Sequence, residues 1–139
     1  MNANLHFIGR IRTPWRSLDE CPAFIDPGGP RCELVLDDRW RDGLRGLTAG
    51  QPILVLYWFD GVDRNRPVQN PRHGGPPRGV FALRSPHRPN PIAAGTVTVE
   101  YLARDGRVGV RGMDCLDGTP LLDIKPAVSG RSAAVDDRG

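Results

Sequence analysis

Hydrophobic positions along the chain occur in short runs separated by polar stretches that are rich in glycine and proline. Residues 53–59 (ILVLYWF) are apolar at every position, which is typical of a central strand covered on both faces. Threonine and valine alternate over residues 96–99, which indicates a strand with one polar face. Asp105-Gly106 predicts a tight turn between two antiparallel strands. Together these patterns predict short strands at residues 5–12, 32–36, 53–59, 79–83, 92–103, 107–111 and 120–124.

One short helix is predicted between the second and third strands. Trp40, Leu44 and Leu47 are spaced at i, i+4 and i+7, and two aspartates precede them as capping residues. We therefore predict a mainly β fold, in which an antiparallel sheet closes or folds over on itself and one or two short helices connect its strands. Residues 1–128 are expected to form a single domain, and residues 129–139 a disordered tail.

Composition narrows the class of protein. With 139 residues, of which 39% are hydrophobic and 25% charged, the chain has enough apolar material for one folded core. Cys21, Cys32 and Cys115 form no C-x-x-C pair and no pattern with the three histidines, so we expect reduced thiols and no bound metal. No apolar run is long enough to cross a bilayer. These features predict a cytoplasmic protein that does not insert into a membrane.

Positive charge is concentrated in one part of the chain. Residues 64–99 hold six arginines, two histidines and no carboxylate, although the whole chain has a net charge of only +3. Within this part, residues 78–91 contain three prolines, which stiffen a loop that presents Arg84, His87 and Arg88. Such a loop is suited to bind an anion, and the alternative is a rigid solvated loop with no ligand.

Other candidate residues come from acidic and aromatic positions. Residues 112–126 contain Asp114, Asp117 and Asp123, which can orient arginines, bind a ribose or act as a base. The alternative is that Asp117 belongs only to a turn and Asp123 to a structural ion pair. A histidine titrates near neutral pH, so His87 is a candidate general base, although a lone loop histidine more often only forms hydrogen bonds. Trp15 has basic neighbours and can stack on a base. Tyr57 and Trp58 are assigned to core packing.

Four segments of the chain carry a resemblance to a known family. They are I-G-R-I-R-T-P-W at 8–15, L-Y-W-F at 56–59, R-G-V-F-A-L-R-S-P-H-R-P-N-P-I at 78–92 and D-C-L-D-G-T-P-L-L-D-I-K-P at 114–126. With these segments the chain resembles the TsaA-like β-barrel family, whose TrmO-type members are S-adenosylmethionine-dependent tRNA methyltransferases. The last two segments are long and unusual, so we identify the chain as a member of that family.

The resemblance implies a small antiparallel β-barrel, usually a homodimer, that binds S-adenosylmethionine between the last two segments. It implies transfer of a methyl group to N6 of threonylcarbamoyladenosine at tRNA position 37, without a metal. His87 and Asp117 are the candidate catalytic residues. Candidate acceptor-binding residues are Arg12, Trp15, Arg72 and Arg78. The donor-binding residues implied by matching positions are Arg84, Ser85, His87, Arg88, Pro89, Asn90, Asp117, Thr119 and Lys125.

Several positions depart from the family pattern on the acceptor side. The family commonly has G-L-S where this chain has Ala93-Ala94-Gly95, histidine where it has Asp60, and P-R-Q where it has Pro22-Ala23-Phe24. An aromatic residue often follows K-P, where this chain has Ala127. Two alternatives therefore stay open: the same donor chemistry on a small metabolite, or a non-catalytic domain that binds the donor or RNA.

Overall fold

The structure, a computed structural model, describes residues 1–128 of the chain. The predicted tail at 129–139 lies outside these residues. Three short 3-10 helices are present: η1 (Leu18–Glu20), η2 (Asp38–Leu44) and η3 (Val80–Ala82). The strands are β1 (Gly9–Arg12), β2 (Arg31–Leu36), β3 (Pro52–Trp58), β4 (Val68–Gln69), β5 (Arg78–Gly79), β6 (Ile92–Thr98), β7 (Tyr101–Leu102), β8 (Arg107–Arg111) and β9 (Thr119–Pro126).

Seven of the strands form one antiparallel sheet in the order β6-β3-β9-β1-β2-β8-β7, and β4 pairs with β5 as a separate hairpin. The predicted mainly β, antiparallel fold with few helices is confirmed. None of the helices in residues 1–128 is long and apolar enough to cross a membrane. The ladders of these residues do not join β6 to β7, so the closed barrel stays a prediction.

The sheet is strongly curved because its two edge strands are neighbours in sequence. Only Val99 and Glu100 separate β6 from β7, so the two edges lie within about 11 Å of each other along the chain. The Val99 amide donates to the Gln51 carbonyl at 2.9 Å, beside β3, whereas the Glu100 amide donates to the Gly109 carbonyl of β8 at 2.7 Å. The strand therefore changes partners between adjacent residues, and the sheet bends around its own core.

Strand β3 shows how the apolar run builds that core. Ile53, Val55 and Tyr57 are buried on the inner face, while the alternating residues on the outer face are half-buried. The prediction of a central apolar strand is confirmed, because β3 pairs with β6 on one side and β9 on the other. The other fully buried members of the core come from the remaining large-sheet strands and from residues 113 and 115, and include Ile11, Leu34, Val108, Val110, Met113 and Leu121.

Three predicted strands are wrong in extent. The strand predicted at 5–12 begins only at Gly9. The strand predicted at 79–83 ends at Gly79, because Val80 donates its amide to the Pro67 carbonyl and Leu83 donates back to Val80, which forms η3. The strand predicted at 92–103 divides into β6 and β7 at the change of partners. The predicted helix is present as the 3-10 helix η2, which Asp37 precedes at the N-cap position. The Asp105-Gly106 turn is confirmed, with Gly106 at φ +92°.

Residues 21–30, here called the early loop, are fixed to the end of β8 at Gly112. The Asp26 amide donates to the Gly112 carbonyl, and the Gly112 amide donates to the Pro30 carbonyl, each at 2.9 Å. Gly112 has φ +71°, and a Cβ atom at this position would lie 1.6 Å from the Asp26 carbonyl oxygen. Only glycine fits here.

We predict that Gly112→Ala lowers the free energy of unfolding by ~2 kcal/mol or more, because the left-handed backbone and the contact with Asp26 both oppose a side chain. Urea denaturation followed by circular dichroism measures this change. Gly43→Ala is the matched control, since a Cβ atom at Gly43 meets no other atom within 4 Å. Equal stability of the two variants would contradict the prediction.

Candidate functional site

A cavity of about 670 Å³ lies at the free edge of β6. Its walls come from four separate parts of the chain: the early loop, β3 with the residue that follows it, the segment 83–88, and β6. Asp114 also contributes to its lining. The lining includes apolar, aromatic and charged residues, among them Phe24, Ile25, Tyr57, Phe59, Arg84, Ser85, Arg88, Ala94, Gly95 and Asp114.

A second, more open groove of about 680 Å³ runs between β2, η2 and the β7–β8 turn. Most of its charges are already in ion pairs: Arg107 binds Asp105 at 2.9 Å, and Arg41 binds Asp38 at 2.5 Å. Arg12, a predicted acceptor-binding residue, lines this groove and lies 3.8 Å from Glu33. The groove therefore offers little free charge to a ligand.

Three predicted donor-binding residues line the β6 cavity. They are Arg84, Ser85 and Arg88, which belong to residues 84–91, here called the signature loop. Hydrogen bonds of these three side chains stabilise the conformation of the loop. The Arg84 guanidinium donates to the Ala94 carbonyl at 3.0 Å, on the unpaired edge of β6. Arg88 donates from Nη1 to the carbonyls of Leu83 and Ser85, each at 3.1 Å, and Ser85 Oγ accepts the amide of residue 87.

The remaining signature-loop candidates face away from the cavity, toward residues 60–77. His87 Nδ1 accepts the Asp63 amide at 3.1 Å, so the proton of the neutral ring is on Nε2. The Gln69 side chain donates to the His87 carbonyl at 2.6 Å. Arg64 donates to the Pro89 carbonyl at 2.7 Å and to Asn90 Oδ1 at 3.5 Å. His87, Pro89 and Asn90 thus connect the signature loop to residues 60–77. A role of His87 as a base stays a prediction.

Residues 60–77, here called the excursion, are thereby attached to the signature loop. Besides its two hydrogen bonds to the loop, the Arg64 guanidinium lies 5.4 Å from the centre of the Trp58 ring, a distance suited to a cation–π contact. The tip of the excursion carries Arg72, and its returning strand begins at Arg78; both side chains are exposed. Neither forms an ion pair within residues 1–128.

The other predicted residues lie outside the cavity lining. Asp117 is exposed in the turn before β9, where its Oδ1 accepts the Thr13 amide at 3.0 Å. Thr119 is buried and donates to the Leu116 carbonyl at 2.7 Å. Lys125 pairs with Asp123 at 3.0 Å, and the Trp15 indole donates to the Met113 carbonyl at 2.9 Å. Their assigned roles stay predictions.

The sequence assigned Tyr57 to core packing and did not select Asp114 among the three aspartates of residues 112–126, yet both residues line the cavity. The Tyr57 hydroxyl donates to Asp114 Oδ1 at 2.5 Å, although 57 positions separate the two residues. Burial raises the pKa of Asp114 above its usual value, while the Tyr57 hydrogen bond and the charge of Arg84 oppose the increase. Burial and the charge of Asp114 likewise raise the pKa of Tyr57. One signal was available, because a buried tyrosine needs a partner for its hydroxyl.

Nearly the whole chain matches a known family. Residues 10–131 match the model of the tRNA-methyltransferase O N-terminal domain. The chain belongs to this family. The predicted membership of the TsaA-like, TrmO-type proteins is confirmed.

Individual relatives of this TrmO-family chain agree with that result. It is 44% identical over 125 residues to the "Probable S-adenosyl-L-methionine-binding protein VirR" of Rhizobium radiobacter, covering 90% of this chain and 71% of that protein. It is 35% identical over 129 residues to the tRNA (adenine(37)-N6)-methyltransferase of Escherichia coli, covering 86% of this chain and 55% of that enzyme. A crystal structure of TrmO superposes with a TM-score of 0.76 at 31% identity, covering 100% of this chain and 64% of that one.

We predict that Arg64→Ala loosens the signature loop, because it removes both hydrogen bonds to the loop and the contact with Trp58. Hydrogen exchange of the His87 amide, which donates to Ser85 Oγ at 3.1 Å, should accelerate roughly tenfold, which corresponds to ~1.4 kcal/mol of local stability. Arg66→Ala is the control, since Arg66 forms only a long ion pair with Asp63, at 3.7 Å. Unchanged exchange in Arg64→Ala would show that the excursion does not hold the loop.

Proposed function

We propose that this TrmO-family chain is an S-adenosylmethionine-dependent methyltransferase that methylates N6 of threonylcarbamoyladenosine at tRNA position 37. The observation that carries the proposal is the cavity at the edge of β6, where Arg84, Ser85 and Arg88 of the signature loop meet Asp114 of the other long family segment. The names of the relatives support both the donor and the tRNA acceptor.

The cavity residues fit S-adenosylmethionine in their chemistry. Arg84 and Arg88 are suited to its carboxylate, because a guanidinium binds a carboxylate through two parallel hydrogen bonds. Phe24 and Phe59 offer apolar surface to the adenine ring. The edge of β6 adds backbone donors and acceptors that no neighbouring strand uses. When bound, the cofactor supplies a methyl group on a positively charged sulfur.

Methyl transfer from a sulfonium is a direct displacement, so the protein contributes mainly by position. The stiffness of the signature loop serves this purpose: Arg88 closes it internally, and Arg64 attaches it to the excursion. We propose that the predicted donor-binding residues that do not line the cavity, such as Asn90 and Thr119, stabilise the segments that carry the lining residues.

The excursion and the adjoining strand β5 are the part of the chain best suited to contact RNA. Arg72 and Arg78 are exposed, and residues 64–99 contain no carboxylate that could neutralise them locally. Arg78 pairs in register with Gln69, whose side chain donates to the carbonyl of His87. Contact with phosphates at the excursion would therefore occur next to the donor site.

The finer structural predictions form part of the same proposal. The sheet closes into a small barrel, which the proximity of β6 and β7 supports. Residues 1–128 form one domain, and two copies of the chain pair as a homodimer. Exposed apolar residues near the cavity, such as Phe24 and Phe81 at 70% and 82% exposure, support such an interface. A tRNA substrate is consistent with a cytoplasmic location.

A methyl-transfer assay tests the proposed function. The protein should transfer labelled methyl from S-adenosylmethionine to tRNA from a strain that lacks this gene, and Arg88→Ala should lower transfer by about tenfold or more, because a charge-assisted contact is lost. Label that enters a small-molecule extract and never tRNA would indicate a metabolite as acceptor. Donor binding without transfer to either pool would indicate a non-catalytic domain.

We predict that reversing two exposed arginines, Arg72 of the excursion and Arg78 of β5, as Arg72→Glu with Arg78→Glu, weakens tRNA binding by about tenfold or more and lowers the salt slope of binding by roughly two. Filter binding at several salt concentrations measures both values, and S-adenosylmethionine affinity should not change. Arg45→Glu is the control, since Arg45 is exposed, lies outside residues 64–99 and pairs with Asp42. An equal loss in the control would show that only net charge matters.

A further inference from the structure

We propose that Asp114, oriented by Tyr57, accepts the proton that the acceptor nitrogen loses during methyl transfer and is thus the general base of the site. This inference rests on the proposed function. The sequence indicates His87 and Asp117 as catalytic candidates, and this inference assigns the proton-accepting role to another aspartate of the same acidic segment.

The lining of the cavity leaves one side chain suited to that role. Among the lining residues that the structure describes, Asp114 is the single carboxylate, and none is a histidine. Arg84 and Arg88 have no acceptor atom. Tyr57 already donates its proton to Asp114. His87 and Asp117 do not line the cavity, and His87 Nδ1 and Asp117 Oδ1 each accept a backbone amide elsewhere.

The orientation of Asp114 is fixed through one of its two oxygens. Oδ1 accepts the Tyr57 hydroxyl at 2.5 Å, and the Tyr57 ring is only 2% exposed, so this contact is held rigidly by the core. Asp114 forms no ion pair with any cation of residues 1–128, and no side chain of those residues donates to Oδ2. The second oxygen therefore remains available to a ligand.

The surroundings also adjust the basicity of the carboxylate. Burial raises the pKa of Asp114, which makes its ionised form a stronger base than an exposed aspartate. Arg84 and the Tyr57 hydroxyl oppose this change. The other titratable groups that sense Asp114 are the thiols of Cys21 and Cys115, whose pKa values burial raises, to about 12 for Cys115, so both stay neutral near pH 7.

The acceptor that the proposed function implies needs such a base. Its nitrogen lies between a purine ring and a carbonyl, so its lone pair is delocalised and it is a weak nucleophile until its proton is removed. In the transfer, the nitrogen electrons form the bond to the methyl carbon and the carbon–sulfur bond breaks, leaving its electron pair on a neutral thioether. The nitrogen proton passes to Asp114 Oδ2, while Tyr57 keeps its own proton and holds Oδ1.

The first test separates proton transfer from donor binding. Asp114→Asn keeps the size of the side chain and removes its basicity, so kcat for methyl transfer should fall by about 10²- to 10⁴-fold. Calorimetric affinity for S-adenosylmethionine should stay within about threefold of wild type, since the base acts on the acceptor. A loss of donor affinity as large as the loss of kcat/KM, with kcat unchanged, would overturn the proposal and make Asp114 a donor-binding residue.

The second test uses pH and does not depend on the folding of the asparagine variant. Asp114 acts when ionised, so kcat/KM should fall as pH decreases through its pKa. Tyr57→Phe removes a hydrogen bond to the ionised form and raises that pKa, so the acidic limb should move to higher pH by about one unit. Tyr101→Phe is the control, because its hydroxyl donates to Glu33 and it does not line the cavity.

If the acidic limb of the pH profile of kcat/KM stays in place in Tyr57→Phe, the proposed role of Tyr57 is overturned. Full methyl-transfer activity of Asp114→Asn would overturn the role of Asp114. Both variants are assayed beside the wild type with tRNA that lacks the modification. Absence of transfer by the wild type would remove the proposed function together with this inference. An active wild type with unaffected variants would remove this inference alone.

Discussion

The change of strand partners between Val99 and Glu100 is the constraint on which the rest of the structure depends. Val99 hydrogen-bonds to Gln51, beside β3, and Glu100 hydrogen-bonds to Gly109 of β8. The two edge strands of the seven-stranded sheet, β6 and β7, are therefore neighbours in sequence. A flat sheet cannot satisfy this condition, because seven strands about 4.8 Å apart would separate its edges by roughly 29 Å. The sheet must therefore curve, and its curvature encloses the core around Tyr57 and Val97.

The free edge of β6 follows from this arrangement, and the cavity follows from that edge. Unpaired backbone groups at a sheet edge need partners or a cover. Here Arg84 donates to the Ala94 carbonyl, and the early loop places Ile25 against Gly95, where a Cβ atom would lie 2.2 Å from its Cδ1 atom. The early loop in turn is fixed at Gly112, two residues before Asp114. The cavity is thus the space between an open strand and the loops that partly cover it.

Charge is arranged differently inside and outside this space. The cavity contains two arginines and one carboxylate, and that carboxylate is held by a tyrosine instead of an ion pair. The excursion beside it carries exposed arginines, and through Arg64 and Gln69 it is attached to the signature loop. In the proposed function, one continuous part of the chain would therefore contact an anionic polymer and support the donor site.

The sequence by itself determined the approximate positions of the main strands, the Asp105-Gly106 hairpin, the family and the presence of Arg84, Ser85 and Arg88 at one loop, because alternation, turn chemistry and long motifs are local properties. Only the tertiary structure decided that His87 faces the excursion and that Tyr57 holds Asp114. It also decided that the 92–103 run divides between two partners. These features depend on hydrogen bonds between residues far apart in sequence. Alternation of apolar and polar residues along a strand indicates which face of the sheet each residue occupies. It does not indicate which strand or which carboxylate lies next to that residue in the folded protein.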